Sequence, residues 1–193
     1  GTCDSNIQER QNSIARQLQA SKPNVSGMQN HGIDSESLRD QIMQFLDGNN
    51  LLSEHQHGFR AGRSCVTQLI EVLDTWTSMI DEEGGVDVAY LDFSKAFDSV
   101  PHQCLLKTAQ AHGLDSKLLQ WIESFLTKRK QSVVVNGTKS SWTEVLSGIP
   151  QGSVLGPILF IIYINDLPDV LSGQVKMFAD DTKVFSHIKK SED

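Results

Sequence analysis

Two adjacent carboxylates, Asp180 and Asp181, stand inside the run Val175-Lys176-Met177-Phe178-Ala179-Asp180-Asp181-Thr182-Lys183-Val184-Phe185. Apolar, β-friendly residues on both sides predict a hairpin with the aspartates at its tip. A third carboxylate, Asp92, follows another strand-like run, Val86-Asp87-Val88-Ala89-Tyr90-Leu91. If the two strands are neighbours in one sheet, Asp92 and Asp180 can share divalent metal ions. Paired metals held by carboxylates serve in-line displacement at phosphorus. The bland alternative is a polar turn, which aspartate also favours. Several carboxylates so close repel one another unless cations are present.

The elements that must position these groups follow from spacing. Leu38, Ile42, Phe45 and Leu46 fall at helical intervals, with Gly48 as a stop. After the turn-rich His57-Gly58-Phe59-Arg60-Ala61-Gly62-Arg63, Ser64 is a good N-cap. The helix it starts carries Val66, Leu69, Ile70, Leu73, Trp76 and Ile80 on one face, which is expected to be buried. Gly84-Gly85 breaks it before the strand that ends at Asp92. Pro101 opens a helix with Leu105, Leu106 and Ala109, closed by Gly113. Asp115 caps the next, with Leu118, Leu119, Ile122, Phe125 and Leu126. Asn136-Gly137 predicts a tight hairpin. Gly148 to Gly156 is a Gly/Pro-punctuated loop leading into an apolar segment that ends near Tyr163. Helices and strands mix without βαβα alternation. The fold class expected is therefore α+β, a small, mainly antiparallel sheet covered by helices.

Bulk properties narrow the field. The chain has 193 residues, room for one medium domain. Its net charge of -7 opposes general nucleic-acid binding, so basic contacts must be local. Cys3, Cys65 and Cys104 are scattered and odd in number, without CxxC spacing, which argues against a disulfide framework or a zinc site. That usage suits a reducing, intracellular compartment, nucleus and/or cytoplasm. The longest apolar run, Val154 to Ile164, contains Gly156 and Pro157 and is too short to span a bilayer, so no membrane partner is expected. Residues 1–33 are rich in Ser, Gln and Asn and are expected to be disordered. The sequence opens on Gly1, as expected of a processed or excised segment.

Three blocks line up in order: Leu91-Asp92-Phe93-Ser94-Lys95-Ala96-Phe97-Asp98, Gly148-Ile149-Pro150-Gln151-Gly152-Ser153 and Phe178-Ala179-Asp180-Asp181. Together they resemble motifs A, B and C of reverse transcriptases. His57-Gly58-Phe59-Arg60, Tyr90-Leu91 and Tyr163-Ile164-Asn165-Asp166-Leu167 are similar to the non-LTR (LINE-type, jockey-like) retrotransposon branch. The resemblance covers roughly residues 36–190, and three blocks in order are far more specific than any one.

The resemblance implies a right-hand polymerase palm over 86–193, carrying the three motifs, and partial fingers over 34–85. It implies RNA-directed DNA synthesis with an RNA template, a DNA primer and dNTPs as partners. Two Mg²⁺ ions, or Mn²⁺ in their place, would be held by Asp92 and Asp180, with the Phe93 carbonyl assisting one ion and Asp181 supporting the site. Backbone N–H groups of Lys95 and Ala96 would meet the triphosphate. Phe97 would be the steric gate against a 2′-hydroxyl; the alternative is an ordinary core phenylalanine. Gln151 and Gly152 would face the incoming nucleotide and template; the alternative is a turn that only shapes a helix entry. Arg60 and Arg63 would touch template or triphosphate, or would be solvated loop residues. Lys128-Arg129-Lys130 could touch the nucleic-acid backbone, though cations late in a helix more often complement its C-terminus. The histidines show no metal-ligand spacing and receive no role.

The family's Arg-Pro-Ile-like fingers strand has no match in residues 1–33, and its later motifs and thumb have none after motif C. The chain alone is therefore expected not to extend a primer processively, and some helices are expected to expose apolar surface. A competing expectation is a catalytically inert, truncated or domesticated remnant acting as a nucleic-acid-binding or interaction module. A template-independent nucleotidyltransferase is disfavoured by the Gln151 loop.

Overall fold

The computed structural model describes residues 35–82 and 84–188; the disorder expected for residues 1–33 lies outside these. The most apolar helix sits at the centre. Helix α6 (Gly156–Tyr163, GPILFIIY) is hydrophobic on every side and is buried from Ile158 to Ile162. Around it gather α1 (Ser35–Gly48), α4 (His102–Ala111) and α5 (Ser116–Leu126). They contribute Leu38, Ile42, Leu46, Leu105, Ala109, Ile122 and Leu126 to the same core. Two caps agree with the residues that suggested them, whereas Gly48, expected as the stop of α1, is still helical and the left-handed backbone falls on Asn50, φ 53°. Asp115 accepts from the N–H groups of Lys117 and Leu118. Gly113 takes the left-handed backbone, at φ 85°, that ends α4.

The main sheet is antiparallel, in the order β1 (Gly85–Leu91), β7 (Asp181–Ile188), β6 (Gln174–Phe178). Phe178 pairs with Asp181, so the turn is Ala179 and Asp180. Asp181, expected at the tip with Asp180, is instead the first residue of β7, since a two-residue turn leaves room for only one of the two. At the other edge, His57 N–H donates to the Met177 carbonyl and Met177 N–H to the His55 carbonyl, both at 2.8 Å. These bonds lay the 55–58 segment alongside β6 as a short parallel bridge. Between the helices run β2 (Lys130–Gln131), paired with β5 (Thr143–Glu144), and β3 (Val134–Val135), paired with β4 (Thr138–Lys139). Asn136 and Gly137, both at positive φ, make the expected tight turn between β3 and β4. The α+β class therefore holds. No helix among the described residues is long and apolar enough to cross a membrane.

Helix α2 (Cys65–Asp81) corrects one expectation. Ser64 caps it as expected, in a reciprocal box with Thr67. The buried face, however, is Gln68, Val72 and Met79, with Trp76 edge-on to Phe185 of the sheet at 5.7 Å. Val66, Leu69, Ile70, Leu73 and Ile80, expected inside, lie at the surface of the described residues. The sheet presents Lys176 and Lys183 to this helix. It therefore takes the face that can answer them: Glu71 binds Lys176 at 2.5 Å and Gln68 binds Lys183 at 2.9 Å. A half-buried ammonium group loses much by lacking a partner, whereas a single aliphatic side chain lies at the surface at little cost.

Candidate active site

Strand register brings the carboxylates together. Leu91 lies opposite Thr182, so the next position on each strand is Asp92 on one side and Asp181 on the other. Asp180 precedes Asp181 in the turn, half-buried, while Asp92 and Asp181 are exposed. All three reach the same end of the sheet. Among the described residues, no group of three or more His, Cys, Asp or Glu side chains is gathered closely enough to hold a metal ion.

The motif A segment leaves β1, and Lys95 takes a left-handed backbone, φ 52°, before the short helix α3 (Ala96–Ser99). Phe93 and Lys95 are exposed and Ala96 is buried. Phe97 is half-buried, stacked on Phe160 with centroids 4.3 Å apart, and meets Phe59 edge-on at 6.4 Å. Its ring thus joins the apolar core to the 57–60 loop.

The motif B loop is zipped onto α3. Gly148 N–H donates to the Val100 carbonyl at 2.8 Å and Ile149 N–H to the Phe97 carbonyl at 2.9 Å. Gly148 has φ 87°, and a Cβ there would lie 2.7 Å from the Asp98 carbonyl oxygen. Its own carbonyl accepts from Arg129 Nη2 at 2.5 Å and lies 2.9 Å from His102 Nε2. Exposed Gln151 donates to Asp98 Oδ1 at 3.2 Å. Gly152 is exposed, at φ 74°.

The arginines are already engaged. Arg60 bonds Asp47 Oδ1 and the Ser53 carbonyl, both at 2.9 Å, and Arg63 bonds the Glu54 carbonyl. Arg129 also bonds the Leu126 carbonyl, which fits the helix C-terminus reading of the 128–130 cations. Burial pulls the Arg129 pKa below its ordinary value, partly offset by Asp98.

Sequence reasoning missed several residues that hold the site together. Gln56 is buried and bonds the hairpin tip. Asn165 Oδ1 accepts from Ser53 N–H, and its amide donates to the Leu51 carbonyl. His57 is buried against Thr67 and Glu71. Burial lowers its pKa, outweighing the opposing pull of Glu71. The hydrogen bond from Lys176 lowers that of Glu71. Amides in turn-rich segments look solvated in sequence, and only their burial distinguishes them.

The family described as "Reverse transcriptase (RNA-dependent DNA polymerase)" matches residues 32–192. The chain belongs to the reverse transcriptase family. Its relatives include proteins from non-LTR transposons. The probable RNA-directed DNA polymerase from transposon X-element of Drosophila melanogaster is 36% identical over 150 residues, 75% of this chain and 16% of that protein. The RNA-directed DNA polymerase from mobile element jockey of Drosophila funebris is 34% identical over 155 residues, 76% of this chain and 17% of that protein. This reverse transcriptase segment thus spans about a sixth of the length of the curated relatives it matches.

Proposed function

We propose that this chain is the palm, with part of the fingers, of a retrotransposon RNA-directed DNA polymerase. It would add dNTPs to a primer 3′-hydroxyl on an RNA template. The observation that carries this reading is the register that sets Asp92 beside the Asp180-Asp181 hairpin. All the donors at this sheet end are hard oxygens, which suits Mg²⁺ or Mn²⁺. Mg²⁺ is commonly held by one or two carboxylates together with substrate phosphates, rather than by an all-protein cage.

Asp92 and Asp180 would hold the ions, with the Phe93 carbonyl and Asp181 in support. Bound there, divalent ions lower the pKa of an attacking hydroxyl and neutralise charge on the leaving phosphates. The turn at Lys95 and Ala96 would face the triphosphate with its N–H groups. Gln151, reached from Asp98, would meet the incoming nucleotide, and Phe97 would lie beneath its sugar. Arg60 and Arg63 would frame the template side of the loop.

Metal-dependent nucleotide binding tests the reading. A dNTP should bind this chain in calorimetry only with Mg²⁺ or Mn²⁺ present, and Asp180→Asn or Asp92→Asn should abolish binding. Nucleotide binding indifferent to metal and to both substitutions would overturn it.

A further inference from the structure

Gln56 is 2% exposed and lies in the segment that runs beside β6. Its side-chain amide is spent on the hairpin tip. Nε2 donates to the Ala179 carbonyl at 3.2 Å, and Oε1 accepts from Ala179 N–H at 2.8 Å. The same oxygen accepts from Gly58 N–H at 2.8 Å. Both backbone groups of Ala179 are thus held by one side chain 123 positions away in sequence. Ala179 needs holding, because its φ of 55° is a backbone conformation that residues with a Cβ disfavour. Gly58 closes the arrangement, since a Cβ there would lie 2.3 Å from the Ala179 nitrogen.

We propose that Gln56 is the positioning residue for Asp180: by clamping Ala179 in the left-handed conformation it fixes where the next residue presents its carboxylate. Gln56 itself touches no reacting atom. The inference rests on the reading of Asp180 as a metal-holding carboxylate. A residue that orients a metal ligand shifts affinity for the metal, beyond any effect on folding.

The test is Mn²⁺ titration of the chain followed by electron paramagnetic resonance, with amide exchange measured by NMR. Gln56→Met keeps most of the volume and removes all three bonds. It should weaken Mn²⁺ binding about 10–100-fold, as loss of such partners typically does. Leu46→Ala, a truncation in the helical core that makes none of the tip's hydrogen bonds, should lose stability with Mn²⁺ affinity unchanged. Equal affinity in Gln56→Met and the unaltered chain would overturn the proposal, as would equal weakening in Leu46→Ala. Exchange in the unaltered chain decides the matter if Gln56→Met does not fold, or if no Mn²⁺ binds. The Ala179 amide, donated into a buried acceptor, should be strongly protected, and exchange at the rate of an open loop would overturn the clamp. Failure of Mn²⁺ binding with a protected Ala179 would instead count against the metal reading of Asp180.

Discussion

Replacing Gly148 with alanine probes how the loop that carries Gln151 is held. Two costs add. A left-handed backbone costs an L-residue about 1–2 kcal/mol. The new methyl would also lie 2.7, 2.8 and 2.9 Å from the Asp98 carbonyl oxygen, Cα and carbonyl carbon. Backbone cannot swing aside as a long side chain can, and overpacking of this kind costs about 1–3 kcal/mol. Gly152 separates the two costs. It sits in the same loop at φ 74°, with nothing within 4 Å of its would-be Cβ. Gly152→Ala should therefore show the backbone cost alone. The difference between the variants should be about 2 kcal/mol, or about 4–8 °C in Tm for a domain of this size. Thermal unfolding followed by circular dichroism measures it. Equal Tm losses in the two variants would refute the claim that α3 and the motif B loop are fitted together by shape.

Acid should act through His57. Its pKa is depressed in the folded state, mainly by burial, so the unfolded chain takes up the proton first as pH falls. Stability should decline on acidification below about pH 6.5, the unfolded histidine value; His57→Asn should flatten that slope, and parallel Tm-against-pH curves would refute it. Glu71, whose pKa is lowered by Lys176, should add a second loss through the carboxylate range. Ile70→Lys, on the outward face of α2, should change stability by no more than about 0.5 kcal/mol, as surface substitutions usually do. Leu105→Ala, fully buried, should cost about 2–5 kcal/mol in denaturant unfolding, and similar values for the two would contradict the assigned faces. In a polypeptide that extends primers, Phe97→Val should admit ribonucleotides; an unchanged dNTP-to-rNTP incorporation ratio in an active variant would leave Phe97 as the packing partner of Phe160.

Much of this fold is legible in the sequence. Asp115 and Ser64 announced their helices because a capping side chain acts on its own first turn. Asn136-Gly137 marked its turn for an equally local reason, and the aspartate pair marked a hairpin, though one residue out of place, because the turn is Ala179-Asp180. The outward face of α2 was misread because periodicity reports an apolar stripe but not what covers it. Which face meets the sheet was decided by Lys176 and Lys183, more than a hundred residues downstream of Gln68 and Glu71. The pairing of β2 with β5 rests on two residues a side, too short for any alternation to show. Gln56 was invisible for a related reason, since a lone amide between two histidines acquires its role only when the tip of the β6–β7 hairpin arrives.

Strand β1 is complete at Leu91, yet its partner β7 begins at Asp181. During synthesis β1 must wait while roughly 90 more residues are added, on the order of 5–20 s at ordinary translation rates. Over that interval the edges of a Val- and Tyr-bearing strand stand open to capture by another nascent chain. Asp92, the Asp180 turn and the Gln56 clamp all depend on the β6–β7 hairpin, so none of them is in place until it has been made. A ribosome stalled shortly before Asp181 would therefore hold a chain whose core helices are made while Asp92 still lacks the strand that is to stand beside it.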